Sequence, residues 1–456
     1  MTGKRLILNL FEMNTPTHIT HGLWRLPGNN RHRYTDLEFW QELAVILEDG
    51  GFDAVFLADV LGAYDVYRDG FDDALREGLQ IPNNDPMLVV PAMAAVTRRL
   101  GFGITFSTSY EPPFTFARRM STLDHLTRGR VGWNVVTSYL PNAARNFGLA
   151  DQIPHDERYR SAEEYLDVVY KLWEGSWDDD AVVRDAEHGI YADPSKVRRI
   201  DHRGTYFSVA GPHLSEPSPQ RTPLIFQATA SPAGIALAGK HAELVFTLVW
   251  GDTVHSTVQA FRRAAAENGR LPGDIKVFVQ AAVFVADTDA EAQAKFDAYR
   301  AYRSEIGAYI HTSAPFDPTR HPPSLTVTEA VIAEGRDPGR VPPQLRGLSI
   351  PEYTRAIDEA WTDEFLAIGT PDHIADQIEH WLDVDDIDGI NLRQYHSFDT
   401  ALDFAKFVTP VLRQRGRLTA PDDDDDHLTL RERLFGRGPH LEGTHPARRY
   451  HGGANL

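Results

Sequence analysis

Four polar residues of this chain stand where short β-rich runs end. Asp59 follows Ala54–Leu57, Thr105 lies in Gly103–Phe106, and Asn134 and Ser138 close the run that begins at Arg130. In a sheet of parallel strands alternating with helices, ligands sit at the carboxyl ends of the strands. Any one of the four could serve only to satisfy backbone groups at a buried strand end, but several on one rim point to a site. A second signal is FQATASPAG, 226–234, which passes from a strand into a helix through small residues that include Ala230 and Ser231. Backbone N–H groups at a helix start, with the Ser231 hydroxyl, suit a phosphate. The plainer reading is that Ser231 caps the helix. The segment is not a Walker A loop and no GxGxxG follows a strand, so a tightly held dinucleotide is not expected.

Nineteen histidines invite a metal reading, with His18 and His21 the closest early pair. No HExxH or comparable carboxylate cluster supports it, and no metal is expected. The chain has no cysteine, which excludes disulfides, thiol catalysis and zinc–thiolate sites.

The elements that must carry these residues alternate. GFGITFSTSYEPPFTFARRMSTLDHLTRGRVGWNVVTS, 101–138, reads as strand, helix, strand, with Phe116, Met120, Leu123 and Leu126 at helical spacing and Gly129 as the stop. That is a βαβ unit with parallel strands. Further strands are read at 6–11, 54–57, 224–227, 244–248, 275–285 and 389–392, with helices between most of them. Eight strands alternating with helices predict an α/β fold, a (β/α)8 TIM barrel, over residues 1–416. Two stretches break the alternation and read as insertions, at about 177–219 and 305–365, the second as a cover over the site. Residues 417–456, with five aspartates at 422–426 and an amphipathic piece at 428–435, read as a C-terminal arm over a neighbouring surface or a loosely ordered tail.

The charge balance, 46 basic against 65 acidic residues, gives a net charge of −19, which disfavours nucleic acid as a partner. No run approaches the ~18 apolar residues of a membrane span, and the N-terminus carries no leader pattern. A soluble, cytoplasmic enzyme is expected.

Longer motifs are recognisable. STLDHLTRGRVGWNVVTS, HDERYRSAEEYLDVVYKLWEGSW, DHRGTYFSVAGPHLSEPSPQRTPLIFQA and TLRERLFG resemble the nitrilotriacetate, dibenzothiophene-sulfone and pristinamycin monooxygenase group of the bacterial-luciferase superfamily. HGLWR, YDVYR, IPNNDP and FSTSYEPP are similar, within that group, to the long-chain alkane monooxygenases. The resemblance implies a flavin-dependent monooxygenase that takes reduced FMN from a separate NAD(P)H:flavin reductase. It implies oxygen transfer from a C4a-(hydro)peroxyflavin to a small, largely apolar organic substrate, and a homodimer or homotetramer. It carries Asp59, Thr105, Asn134, His155, Tyr159, Ala230 and Ser231 onto flavin-binding positions, and His18, Tyr64 and Gln80 onto active-site positions. His18 would orient the oxygen species and shuttle a proton near neutral pH, and Phe11, Trp24, Phe246 and Trp250 would supply apolar walls. Two other readings share the barrel: a deazaflavin-dependent hydride transferase and a non-catalytic flavin binder.

The departures fall mainly on the substrate side. Thr15 and Tyr139 stand where the alkane enzymes have a cysteine and a histidine, and IHTSAPFDPTRHPP, with His311, replaces a Gly-rich segment. A substrate with a polar handle is expected rather than a long unfunctionalised alkane.

Overall fold

In the computed structural model, which describes residues 3–249, 253–360, 365–419 and 426–456, eight parallel strands close into a barrel. In chain order they are β1 (Ile7–Met13), β2 (Ala54–Ala58), β3 (Gly101–Ser107), β4 (Val131–Val136), β5 (Leu224–Ala228), β6 (Leu244–Thr247), β7 (Lys276–Val285) and β8 (Gly389–Arg393). Closure is made by β8 pairing with β1, in the register Ile7↔Gly389 to Phe11↔Arg393. Every barrel strand expected from the sequence is present, each followed by helical segments that cover the outside of the sheet.

One strand had no counterpart in the sequence reading. The second half of β7 runs on beyond the barrel and pairs with Phe365–Gly369, Ala281↔Phe365 to Val285↔Gly369. Its alternating burial, with Leu366 and Ile368 only partly covered, is that of an edge strand. Five residues beside a segment rich in proline and charge give too weak an alternation to detect.

The barrel interior is filled by aromatic rings. Phe11, Phe56, Phe226, Phe246 and Phe278 form its cluster with Ile7, Leu224 and Leu244. The rings are accommodated by glycines on neighbouring strands: a Cβ on Gly132 would lie 2.4 Å from the Phe226 ring, and one on Gly389 2.2 Å from Phe278. Between sheet and helices lies the larger core, with Trp40, Phe102, Phe116, Trp133 and Tyr165 all buried.

The stretch 177–219 forms two short hairpins, Val182–Asp185 with Ile190–Ala192 and His202–Arg203 with Ser208–Val209. The stretch after residue 304 contains helices Glu305–His311, Val327–Ala333 and Ile350–Ala360. It has its own apolar cluster, in which Tyr309, Phe316, Val331 and Tyr353 pack on Tyr64, Tyr67, Leu79 and Leu140 of the barrel's upper loops. Tyr67 Oη and Arg68 Nε both donate to the buried Asp317 carboxylate, at 3.1 and 2.7 Å, and tie the two together.

Residues 426–456 pack against the chain's own barrel. Helix Leu430–Phe435 sits under the amino-terminal mouth, where Leu430 and Leu434 complete the interior cluster. Its Arg431 donates to both oxygens of Glu243, at 2.7 and 2.9 Å, and Glu243 also accepts the backbone N–H of Ile225 on β5. Four of the five expected aspartates, 422–425, lie outside the described residues, as does Trp250. Among the described residues no helix is long and apolar enough to cross a membrane.

Leu430→Ala would leave a void in a fully buried interior that cannot collapse around rigid rings. Equilibrium urea unfolding is expected to show a loss of about 2–5 kcal/mol; a change below about 0.5 kcal/mol would mean that the helix merely rests on the barrel.

Candidate active site

The carboxyl ends of β2 to β5 and the loops after them enclose two adjoining cavities of about 380 and 350 Å³, which share Asp59, Val60 and Leu61. The first is lined by Tyr139, His155, Arg158, Tyr159, Ala230 and Ser231 among others, the second by Gln80, Asn83, Thr105 and Glu111. Of the seven residues expected to hold a cofactor, six line these cavities. The seventh, Asn134, lies beneath Thr105: the two are register partners on β4 and β3, and Asn134 Nδ2 donates to Thr105 Oγ1 at 2.8 Å. The Asn134 Oδ1 atom is buried and has no partner among the described residues. A buried amide oxygen left so carries a desolvation cost of ~1–3 kcal/mol, which is tolerated most readily at a binding site.

At the far end of the first cavity, helix Pro232–His241 begins. Ser231 is its N-cap, Oγ accepting from Gly234 N at 3.1 Å, so the capping reading of the sequence holds. It leaves the hydroxyl proton free to donate, and Tyr159 Oη lies 3.4 Å away. Gly234 is needed for this turn, since a Cβ there would sit 1.6 Å from Thr229 Oγ1. Arg158, one residue before Tyr159, lies in the same wall with its guanidinium held by the carbonyls of Ile153 and Ser138. A cation, two hydroxyls and a helix start thus line one cavity, a donor set whose chemistry suits an anion. Arg158 was not singled out in the sequence; it lies with Tyr159 in the first turns of helix His155–Tyr170. The signal was its place beside Tyr159 in HDERYR, but nothing in the spacing says which side of that helix start faces the barrel.

Asp59 ends β2 where the cavities meet. Asn83 Nδ2 donates to its Oδ1 at 2.8 Å. Burial, with the Asp85 charge nearby, pushes its carboxyl up from 3.8 to about 7 against the opposing effect of Asn83.

A chain of polar contacts leads away from Tyr139. Its hydroxyl is bonded to that of Tyr64, which donates to Gln80 Oε1 at 3.2 Å, and Gln80 Nε2 donates to the His18 carbonyl at 3.1 Å. The His311 ring stands edge-on to Tyr64, centroids 5.0 Å apart, and His311 Nδ1 is 2.9 Å from His21 Nε2. His18 packs edge-on against Phe11 at 4.4 Å. All five residues expected on the substrate side thus form one cluster, joined by His21.

Three expectations are corrected. Burial, aided by Arg31, holds the His18 imidazole well below its usual range, and burial brings His311 down to about 3. Both are neutral near pH 7, so His18 offers a hydrogen bond rather than a titrating proton. Thr15 does not face a substrate: it is fully buried and its hydroxyl donates to the Pro82 carbonyl at 2.7 Å. Trp24 is 45% exposed and is no wall of the site, whereas Phe11 and Phe246 are buried in the barrel mouth. Among the described residues no group of histidine, aspartate and glutamate side chains is arranged to hold a metal.

The profile described as luciferase-like monooxygenase matches residues 19–384, four-fifths of the chain. The chain belongs to the bacterial-luciferase-like family. It is 47% identical over 453 residues to the long-chain alkane monooxygenase of Geobacillus thermodenitrificans, with 98% of both chains covered. It is 40% identical to the dimethyl-sulfide monooxygenase of Hyphomicrobium sulfonivorans, covering 98% of this chain and 94% of that one. A crystal structure of a riboflavin lyase with modified FMN and riboflavin superposes with a TM-score of 0.86 at 35% identity, covering 98% of this chain and all of the other. This luciferase-like enzyme is therefore an oxidoreductase, a monooxygenase on the family's TIM barrel.

The raised Asp59 carboxyl has a consequence for stability. Its proton is held in the native state at pH values where the unfolded chain has released it, so its contribution is complete below about pH 4 and is lost as pH rises towards 7. Asp59→Asn removes that loss. The stability of the variant relative to the native chain, measured by urea unfolding, is expected to rise by about 1–3 kcal/mol between pH 5 and pH 7.5. A difference that stays flat across that range would show the native carboxyl to be ionised throughout.

Proposed function

We propose that this monooxygenase is the oxygenase of a two-component system, taking reduced FMN from a separate NAD(P)H:flavin reductase and using it with O2 on a small, largely apolar organic substrate. The observation that carries this reading is the polarity of the rim. Arg158, Tyr159 and Ser231 converge at one end, as a phosphate tail requires, and Thr105, Asn134 and Asp59 gather near the barrel axis. The residues present fit FMN on both counts. The Ser231 cap leaves a hydroxyl proton to donate, and the Asn134 amide oxygen is unsatisfied without a ligand. A relative solved with modified FMN adds support, and the lack of a dinucleotide fingerprint agrees with electrons that arrive from another protein.

When bound, reduced FMN supplies the electrons with which O2 is reduced and one oxygen atom passed to the substrate. The chain's own groups do the remainder. Phe11 and Phe246 line the mouth and exclude water from the reacting centre. His18 lies against Phe11, neutral near pH 7, and provides a hydrogen bond to a developing oxyanion without bringing a charge. Gln80 fixes the backbone of His18 through its carbonyl, and Tyr64 holds Gln80 in turn. The relatives named for an alkane and for dimethyl sulfide share the barrel but not the substrate, so the substrate has to be read from this chain's own groups.

Two measurements test this reading. Ser231→Ala removes a charge-assisted donor and is expected to weaken reduced-FMN binding by about 1–2 kcal/mol in an anaerobic titration; an unchanged dissociation constant would remove Ser231 from the site. With a generic flavin reductase, NADH and FMN, a screen of sulfides, amines, alcohols and ketones is expected to yield at least one oxygenated product in proportion to the O2 consumed. Flavin oxidation yielding only hydrogen peroxide across the screen would overturn the monooxygenase role.

A further inference from the structure

The polar chain that ends on Tyr139 has a fixed direction, and the direction follows from atoms that have no choice. The His18 carbonyl can only accept, so the group of Gln80 that faces it at 3.1 Å is the amide NH2. Gln80 Oε1 therefore faces Tyr64 and can only accept, which requires the single hydroxyl proton of Tyr64 to point at Gln80. Tyr64 has no second proton, so in its contact with Tyr139 it is the acceptor and Tyr139 the donor. Tyr64 Oη is buried and cannot be turned by solvent, while the Tyr139 side chain is 54% exposed and lines the 380 Å³ cavity. With its proton committed inward, the phenol presents to that cavity only oxygen lone pairs.

We propose that Tyr139 is a specificity-determining residue that selects substrates carrying an N–H or O–H donor, such as an alcohol or an amine, over isosteric ketones, sulfones and hydrocarbons. This rests on the monooxygenase reading for the chemistry that follows binding, but the selection itself is a property of the cavity. A carbonyl or sulfone oxygen brought to Tyr139 meets lone pairs, and can be satisfied only by turning the Tyr139 proton outward and leaving the buried Tyr64 oxygen with one partner fewer. A hydrocarbon leaves the phenol oxygen unpaired. A donor satisfies it with no rearrangement. The same chemistry could be met by an N–H of the reduced flavin, and the experiment separates the two sources.

The probes are cyclohexanol, cyclohexanone and methylcyclohexane, titrated calorimetrically against the protein with and without FMN. Wild-type protein is expected to bind cyclohexanol about tenfold more tightly than either of the others, the scale on which a site built for a hydrogen bond rejects an analogue lacking it being at least this large. In Tyr139→Phe, with its fold checked by thermal unfolding, that preference is expected to disappear in the titrations with and without FMN alike. In Gln80→Met the Tyr64 proton is released to donate to Tyr139, whose own proton can then turn outward, and cyclohexanone is expected to bind as well as cyclohexanol. Equal affinities in the wild type, a preference retained in Tyr139→Phe, or a weakening of reduced-FMN binding in that variant with probe preference intact would each overturn the proposal. Because the titrations are also run without FMN, a protein that ranks the probes as expected but consumes no O2 would refute the monooxygenase reading alone.

Discussion

The site depends on a buried ion pair. Glu12, on β1, and Arg31, nineteen residues along, are both almost wholly covered and in contact. Gln394, just past β8, donates to the other Glu12 oxygen at 2.5 Å, while Arg31 also donates to the carbonyls of Met13 and Thr15. The pair therefore stitches the first strand, the last strand and the loop between residues 14 and 31 at the point where the barrel closes. That loop holds His18 and His21. Removing one partner from a buried pair costs roughly 3–5 kcal/mol, because the other charge is left in a place that water cannot reach. The pair thereby fixes the backbone from which His18 and His21 project.

Around that anchor the rim divides its labour by distance from the barrel axis. Near the axis are small, fully covered polar groups, Thr105 and Asn134, which the aromatic interior holds in place from below. Further out stand the longer side chains, Arg158 and Tyr159, both near the start of helix His155–Tyr170. The aromatic rings leave no room for solvent beneath the site, and the helices after residue 304 cover the loops beside it. What lies between is a pocket with aromatic rings beneath it and Arg158 in its wall, in a protein that carries a net charge of −19. That guanidinium is a local exception to the field of the whole.

Much of this architecture was legible in the sequence. The barrel strands announce themselves as short Val-, Ile- and Phe-rich runs, because both faces of a parallel sheet are buried and the pattern is nearly continuous. The placement of Asp59, Thr105 and Asn134 at one rim was legible for the same reason: the ends of such runs fall on one mouth of a parallel barrel. The rest was hidden by range. The bonds from Gln80 to the His18 carbonyl and from His311 to His21 join residues 62 and 290 positions apart, and no spacing rule connects them. Thr15 was misread because a hydroxyl in a loop looks available until the Pro82 carbonyl is seen beside it. The neutral state of His18 likewise follows from burial, which composition does not reveal.

The helix under the barrel's amino-terminal mouth has a consequence in time. Its residues follow all eight barrel strands in the chain, and the strand that closes the barrel against β1 lies 382 positions after its partner. The seam between first and last strands can form only after β8 has been made, and the interior cluster is completed only by the helix that follows it. The early βαβ units must wait with one end of their sheet open and apolar, a state that is slow to resolve and prone to pair with other chains. The barrel is thus a fold whose decisive pairing is long-range, and such folds form slowly.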